Sequence, residues 1–273
     1  MDAQFQPVID AAYAGDFALF KSLLESNPEL ITEASDDPGD SPNLIQFVIV
    51  EGGLGKIPDP AKFLTYLIEN GSTTEKQLVA AASVNARELL DILLDAGVQL
   101  DDGAPWTAVE ESLYWGHRGL AEYLLNVKGA KLNTLCASAM IGDVEKLKKF
   151  FRNGKLVGSA LPIYFPWGEL KGSNERDAIN QAFLLSLSHK QYEAASYLLD
   201  RGADINSKPS GYHVGCSALN QAIYLNDIEM VDWLLDRGAV DVKKDHGRST
   251  EGIDMAKHHG FVQLEAYLKK RLA

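Results

Sequence analysis

The motif Leu-Leu-x-x-Gly recurs along this chain and restricts its fold more than any other feature. Copies run from Leu198 to Gly202, from Leu234 to Gly238 and, with one more residue, from Leu124 to Gly129. A unit that recurs in this way cannot bury its apolar face alone, so successive units stack on one another. The repetition therefore predicts one elongated stack over residues 1–273, whereas length alone would favour two globular domains.

All repeats can be placed in a single register. Each has an opening residue at 0, a tight turn at +9 and a leucine pair that begins at +17; seven repeats obey both offsets, and one carries seven extra residues before Leu67. The predicted repeats start near residues 6, 43, 76, 107, 133, 181, 217 and 251. Several turn positions hold glycine, for example Gly116 and Gly142, because glycine adopts a left-handed backbone without steric penalty.

This pattern resembles the ankyrin repeat, a unit of about 33 residues. The resemblance is carried by Trp106-Thr107-Ala108-Val109, by Trp115-Gly116-His117 and by Gly238-Ala239. No complete Thr-Pro-Leu-His is present, and the step between the fourth and fifth repeats is only 26 residues. The resemblance implies an all-α, ankyrin-type helical solenoid of about eight degenerate repeats, with a long loop inserted after the fifth. It also implies non-catalytic recognition of a protein through the concave face and the finger loops.

The inserted loop spans residues 154–177 and contains Leu161-Pro162-Ile163-Tyr164-Phe165-Pro166-Trp167-Gly168. A long loop in a compact fold is usually functional or disordered, and this apolar composition disfavours disorder. Two interpretations stay open and are compatible with each other. The loop folds back over the core, or it reaches over the concave groove as an additional contact.

In an ankyrin-like stack the residues at +7 and +8 of each repeat project towards the concave side. Tyrosine, tryptophan and methionine at these positions are the residue types enriched in binding hot spots. The alternative is that some of them pack beneath the adjacent finger. Together with aromatic residues of the inserted loop, the predicted partner-binding residues are Trp106, Tyr114, Trp115, Met140, Tyr164, Trp167, His189 and Tyr224.

Charge is distributed unevenly along the chain. Residues 1–136 contain 8 Lys and Arg against 21 Asp and Glu, a net charge of −13, whereas residues 137–273 contain 18 against 17. The first half lacks the concentrated positive charge that nucleic-acid binding requires. A basic protein partner fits it better, and the chain is a candidate acidic inhibitor or immunity-type protein for such a partner. The alternative is that the acidic residues only keep the helix faces solvated.

The sequence predicts no enzyme, no cofactor and no metal site. Its six histidines lack the spacing of known catalytic or zinc-binding motifs, and adjacent His258 and His259 point about 100° apart on a helix. The competing class is an enzyme or small-molecule binder, in which the aromatic loop closes over a groove that bears histidines. A deep pocket that joins Tyr164 or Trp167 to His189 would favour that class.

Cellular location is predicted from the same residues. The N-terminal residues contain no signal-peptide pattern, and no stretch has the length of a membrane span. Cys136 and Cys216 lie in different repeats and are expected to be small buried side chains in a reducing compartment. We therefore expect a cytoplasmic monomer that binds neither membranes nor nucleic acid.

Overall fold

The chain is mostly helical, and its helices pack in consecutive pairs. The computed structural model describes residues 2–35, 43–73, 76–100, 106–158, 163–165, 168–170, 174–209, 216–240 and 252–271, with the backbone alone for 163–165 and 168–170. Sixteen α-helices and four short β-strands lie within these residues, in agreement with the predicted all-α class. None of the described helices combines the length and apolar composition that crossing a membrane requires.

Contacts between residues divide the chain into two compact units, Met1–Leu132 and Asn133–Ala273. The first unit contains four helix pairs. They are α1 (Gln6–Tyr13) with α2 (Phe17–Ser26), α3 (Leu44–Gly53) with α4 (Pro60–Glu69), α5 (Gln77–Ser83) with α6 (Arg87–Asp95), and α7 (Ala108–Tyr114) with α8 (Arg118–Asn126). Short 3₁₀ segments at Ala3–Phe5 and Pro28–Ile31 flank the first pair. Successive first helices contact each other from α3 to α5 to α7.

The second unit also contains four pairs, with two small hairpins between its first and second pairs. The pairs are α9 (Leu135–Ile141) with α10 (Val144–Lys149), α11 (Glu175–Ser188) with α12 (Tyr192–Asp200), α13 (Ala218–Tyr224) with α14 (Ile228–Asp236), and α15 (Gly252–His258) with α16 (Val262–Arg271). The hairpins are antiparallel and consist of β1 (Phe151–Arg152) with β2 (Lys155–Leu156), and β3 (Ile163–Phe165) with β4 (Gly168–Leu170).

The turn between the two helices of a pair is the same in all eight pairs. Seven of the eight predicted +9 positions have a positive φ, from 54° at Asn226 to 86° at Gly142. In the second pair α3 runs on to Gly53, and the positive φ moves to Gly55. The amide that follows the left-handed residue donates to the carbonyl five residues earlier in every pair, as from His117 to Ser112 at 2.7 Å. This hydrogen bond satisfies a carbonyl at the helix end that has no partner within the helix.

The Leu-Leu-x-x-Gly motif, which reads Leu67-Ile68 in one copy, forms the end of five of the eight second helices. Its glycine has a positive φ at Gly71, Gly97, Gly129, Gly202 and Gly238. The residue after each of these glycines donates its amide to the carbonyl of the motif's first leucine, at 2.9–3.1 Å. The side chain of that leucine is fully buried in all five pairs. One leucine therefore fills the core and also closes the helix.

Neighbouring second helices are also joined by tyrosine–aspartate hydrogen bonds in equivalent positions of both units. Tyr123 Oη in α8 donates to Asp91 Oδ1 in α6 at 2.7 Å, and Tyr267 Oη in α16 donates to Asp232 in α14. In each case the tyrosine directly precedes its buried leucine, and the aspartate lies two residues before the buried leucine of the preceding pair. These contacts link successive pairs on the side away from the tight turns.

The segment from 154 to 177 differs in detail from the single loop that the sequence predicts. Asn153 (φ 52°) and Gly154 (φ 78°) form a two-residue turn between β1 and β2, the geometry that Asn-Gly favours. Helix α11 begins at Glu175 and not at the predicted repeat start of 181, because Asn174 and Asp177 form a capping box there. The segment thus contains folded elements that periodicity alone did not reveal.

Candidate functional site

The tight turns of each unit contact one another and form one connected edge. In the first unit Tyr13 Oη donates to Glu51 Oε2 at 2.8 Å, a Cβ at Gly53 would overlap the Val84 side chain, and His117 Nε2 lies 3.0 Å from the carbonyl oxygen of Ser83. We name this edge the first-unit row. It consists of the +7 and +8 residues of its four pairs: Tyr13, Ala14, Val50, Glu51, Ser83, Val84, Tyr114 and Trp115.

The second unit has an equivalent edge. Gln221 Nε2 donates to Ser188 Oγ at 2.9 Å, Lys190 Nζ pairs with Asp227 at 2.7 Å, and the ring of Tyr224 meets the ring of His259 edge to face at 5.4 Å. We name this edge the second-unit row. Its +7 and +8 residues are Met140, Ile141, Ser188, His189, Tyr224, Leu225, His258 and His259.

The structure separates the predicted partner-binding residues by exposure. Trp115 is 45% exposed and Tyr224 is 62% exposed, so both offer aromatic surface to a partner. Tyr114 and His189 are half-buried.

Two of the predicted residues are instead part of the interior. Met140 is fully buried and Trp106 is 8% exposed. Neither side chain is available as a surface anchor, which corrects the prediction for both. Tyr164 contributes backbone to β3. Its side chain, and Trp167 as a whole, lie outside the described part of the structure.

The N-terminal end of α7 is built around two buried glutamates. Thr107 is the N-cap, and the capping box is completed by Glu110 Oε2, which accepts from the Thr107 amide at 3.0 Å. The side chain of Glu111, the next residue, contacts the two flanking tryptophans and not the N-cap. Its carboxylate accepts one indole N–H from Trp106, at 2.5 Å, and a second from Trp115, at 2.7 Å. These two donors satisfy both oxygens of a carboxylate that is only 3% exposed.

The electrostatics of Glu111 follow from this burial. Loss of water around the carboxylate raises its pKa above the usual value, and the two indole hydrogen bonds and the charge of Lys76 offset this only in part. The aromatic rings around Glu111 also contact one another. The ring of Tyr114 meets those of Trp106 and Trp115 at 5.7 and 5.4 Å, with interplanar angles of 72° and 86°. Trp115 is thus an exposed ring whose position is fixed by a hydrogen bond and by an aromatic neighbour.

A second polar group lies at the other end of the first-unit row. Burial, together with the Glu51 carboxylate, raises the pKa of the Tyr13 hydroxyl to about 12. For Glu51, burial opposes ionisation, but hydrogen bonds from Lys56 and Tyr13 and the Lys56 charge outweigh it and lower the pKa. Glu51 therefore remains an anion on the row at neutral pH.

The second-unit row differs in its chemistry. The rings of Tyr224, His259 and Phe261 follow one another at centroid distances of 5.4 Å, and His258 adjoins His259 at 5.3 Å. Residues 133–273 carry 18 Lys and Arg against 17 Asp and Glu, so this unit is nearly neutral where the first is strongly acidic.

Neither row offers a metal site within the described residues. No group of three or more His, Cys, Asp or Glu side chains in this part of the chain is suited to hold a metal ion. Three surface depressions lie between helix pairs, one of them lined by Asn85, Arg87, His117 and Arg118. None of these three contains a predicted partner-binding residue.

Sequence reasoning missed the role of Glu111. A signal was present: Thr107-x-x-Glu110 is a capping-box pattern, and it places the next residue, Glu111, on the inner side of the first turn. A charged side chain there is exceptional and needs buried donors. The flanking tryptophans supply them.

Comparison with known proteins adds no further assignment, since no protein-family model matches the sequence and no characterised protein matches it significantly.

Proposed function

We propose that the chain is an ankyrin-type helical-repeat protein that binds a protein partner, without catalysis, through its rows of tight turns. In all eight helix pairs the first helix ends with the same type of hydrogen bond and with a residue in the left-handed conformation. This recurrence supports the repeat assignment. The recurrent burial of the motif's leucine supports it as well. Repetition of this kind builds long continuous surfaces, which suit a macromolecular ligand better than a small one.

One observation carries the functional part of the proposal. Trp115 and Tyr224 are exposed, yet each is held by ring contacts, and Trp115 also by a hydrogen bond to Glu111. An aromatic side chain that is fixed in place gives contact area at a small entropic cost, which is the property of an interface anchor. Val127 and Val240 are also exposed, but neither belongs to a row.

We propose a basic protein as the partner. The first unit carries 8 Lys and Arg against 21 Asp and Glu, and a field of that sign accelerates the approach of a positively charged protein. An inhibitor or immunity-type role, in which the chain neutralises a basic enzyme, fits this charge. Neither Cys136 nor Cys216 forms a disulfide bond, which supports a reducing compartment such as the cytoplasm; we propose that the protein acts there as a monomer.

The proposal is tested by affinity capture from a native lysate of the source organism. Three proteins are compared: the wild type, the double variant Trp115→Ala/Tyr224→Ala, and the control Val127→Ala/Val240→Ala, which removes exposed apolar residues elsewhere in each unit. We expect one basic protein to be retained by the wild type and the control, lost by the row variant, and released at high salt. Equal capture by all three proteins, or salt-insensitive capture of an acidic protein, would overturn the proposal.

A further inference from the structure

We infer that Trp115, Tyr114 and Glu111 form a receptor for a cationic side chain, an arginine or lysine, of the proposed partner. The inference rests on the proposed function and assigns the chemistry of one contact within it. Helix α7 and its C-cap supply the three side chains, and helix α13 has the same framework without the charge.

The ring of Trp115 is the surface on which the cation would bind. Its indole N–H donates to Glu111 Oε1 at 2.7 Å, so the edge of the ring points inward while 45% of the residue is exposed. The face of an indole ring is the strongest aromatic site for a cation, because its quadrupole places negative charge there. Tyr114 stands at 86° to Trp115 with its centroid 5.4 Å away, so the two rings meet edge to face and Tyr114 helps to hold Trp115 in place.

The carboxylate of Glu111, which accepts from this ring, supplies negative charge next to it. An anionic acceptor polarises the indole N–H and increases the electron density of the ring. The same carboxylate also attracts a cation on the ring face directly, and its 3% exposure means that little water screens this attraction. Glu111 therefore positions Trp115 and also strengthens its affinity for positive charge.

Helix α13 provides a comparison for α7 within the same chain. Thr107 and Ser217 are equivalent N-caps, and four residues later stand Glu111 in α7 and Gln221 in α13. At +7 both helices end in tyrosine, and at +8 Trp115 corresponds to Leu225. The position of Trp106, just before the N-cap, is taken by Cys216. The α13 site thus lacks the carboxylate and both indoles, and it predicts how the α7 site behaves without them.

The experiment uses defined peptides, so that it does not depend on capture of the partner. The ¹⁵N-labelled full-length protein is titrated with acetyl-Gly-Arg-Arg-Gly-amide, with the lysine analogue, and with the uncharged citrulline analogue. The indole N–H resonance of Trp115 is assigned from Trp115→Phe. We expect the arginine or lysine peptide to shift this resonance and to bind about tenfold more tightly than the citrulline peptide.

Three variants refine the test. Glu111→Gln, with its fold verified by circular dichroism, is expected to weaken cationic-peptide binding about tenfold. Trp115→Leu copies the α13 residue and removes one donor to Glu111, so its fold is verified in the same way, and its α7 amide resonances should no longer respond to the cationic peptides. Gln221→Ala is the control and should leave binding unchanged.

Equal binding of the arginine, lysine and citrulline peptides would overturn the inference, as would unchanged binding by a folded Glu111→Gln or by Trp115→Leu. Neither result would affect the proposed function, since loss of the captured partner in Trp115→Ala/Tyr224→Ala would still show that the rows form the interface. Cation-selective peptide binding that depends on Glu111 and Trp115 would support the receptor even if no partner were captured.

Discussion

The fourth and seventh helix pairs are built on the same framework and differ in where they place charge. Both first helices begin after a Thr or Ser N-cap and end at a tyrosine, Tyr114 or Tyr224. At the inner position Glu111 receives two indole N–H groups, whereas Gln221 donates to Ser188 of the preceding pair. The fourth pair uses this position to hold a negative charge, and the seventh uses it to join two neighbouring pairs.

In the fourth pair, the Glu111 carboxylate is buried because its own pair supplies the hydrogen-bond donors. Trp106 and Trp115 lie on either side of Glu111 in sequence, so local chain geometry brings both indoles to it. In the seventh pair Cys216 and Leu225 offer no such donors, and a neutral amide occupies the site. Specific chemistry can therefore be added to one repeat without any change in the others.

The largest effect on stability is expected when the inner side chain, Glu111 or Gln221, is removed from its pair. Glu111→Ala leaves the buried Trp106 N–H without a partner and opens a cavity, so we expect the free energy of unfolding to fall by about 3 kcal/mol. Gln221→Ala loses the hydrogen bond to Ser188 and should cost about 1 kcal/mol. Urea denaturation of both variants beside the wild type measures the two values. Equal losses would mean that the indole donors do not depend on the carboxylate.

A smaller effect is expected from the glycines that end α7 and α9. Gly116 and Gly142 have φ values of 79° and 86°, so alanine is strained at both, at about 1 kcal/mol each. A Cβ at Gly142 would also meet the Gln191 amide group, which donates to the His189 carbonyl at 2.9 Å, whereas nothing lies within 4 Å of a Cβ at Gly116. We therefore expect Gly142→Ala to destabilise the protein by about 1 kcal/mol more than Gly116→Ala. Thermal unfolding distinguishes them, and a larger loss for Gly116→Ala would contradict the packing described for the second unit.

The pH dependence of stability gives a third test of the fourth pair. The folded-state pKa of Glu111 is raised above its unfolded value near 4.5, so between these two pKa values the folded state binds more protons. Stability from this group is thus fully present below the unfolded pKa and is lost as pH rises through the folded pKa. We expect the wild type to gain stability relative to Glu111→Gln as pH is lowered from 7 towards 4.5. A difference between the two proteins that does not vary with pH would show that Glu111 is not perturbed.

The smallest effect concerns the aspartates that accept from tyrosine in each unit. For Asp91, burial opposes ionisation, but hydrogen bonds from Lys128 and Tyr123 and the nearby positive charges outweigh it and lower the pKa. Its contribution is present above the unfolded pKa near 3.8 and is lost as pH falls through the folded pKa. Asp91→Asn should cost about 1 kcal/mol at pH 7.

Asp232→Asn serves as the matched variant, because the Asp232 side chain is 49% exposed while that of Asp91 is 30% exposed. We expect its cost to be about 0.5 kcal/mol. Urea denaturation at pH 7 measures both changes, and a larger loss for Asp232→Asn would reverse the assigned order.

Local signals in the sequence were sufficient for the helix pairs but not for the site. The +9 offset identifies the turns, because the left-handed backbone there favours Gly or Asn, as at Gly116 and Asn226. The same periodicity failed between 154 and 177, where Asn153-Gly154 and the Asn174 cap are better guides than apolar spacing. An aromatic residue near the concave position was taken as exposed, yet Trp106 is buried and its indole N–H donates to Glu111. Such a pairing depends on side-chain packing in three dimensions, which no one-dimensional period contains.

The tyrosine–aspartate hydrogen bond between α16 and α14 affects how easily α16 separates from the rest of the second unit. Leu264 and Leu268 are the buried residues of α16, and Tyr267 and Arg271 add polar contacts to Asp232 and Asp236 of α14. A helix with so small an apolar contact detaches at a low free-energy cost while the rest of the unit remains folded. Its amide protons should therefore exchange with solvent deuterium before those of α14, and more rapidly still at high ionic strength, where the attraction between these charges is weakened. The attachment of α16 to α14 would then weaken as the salt concentration rises.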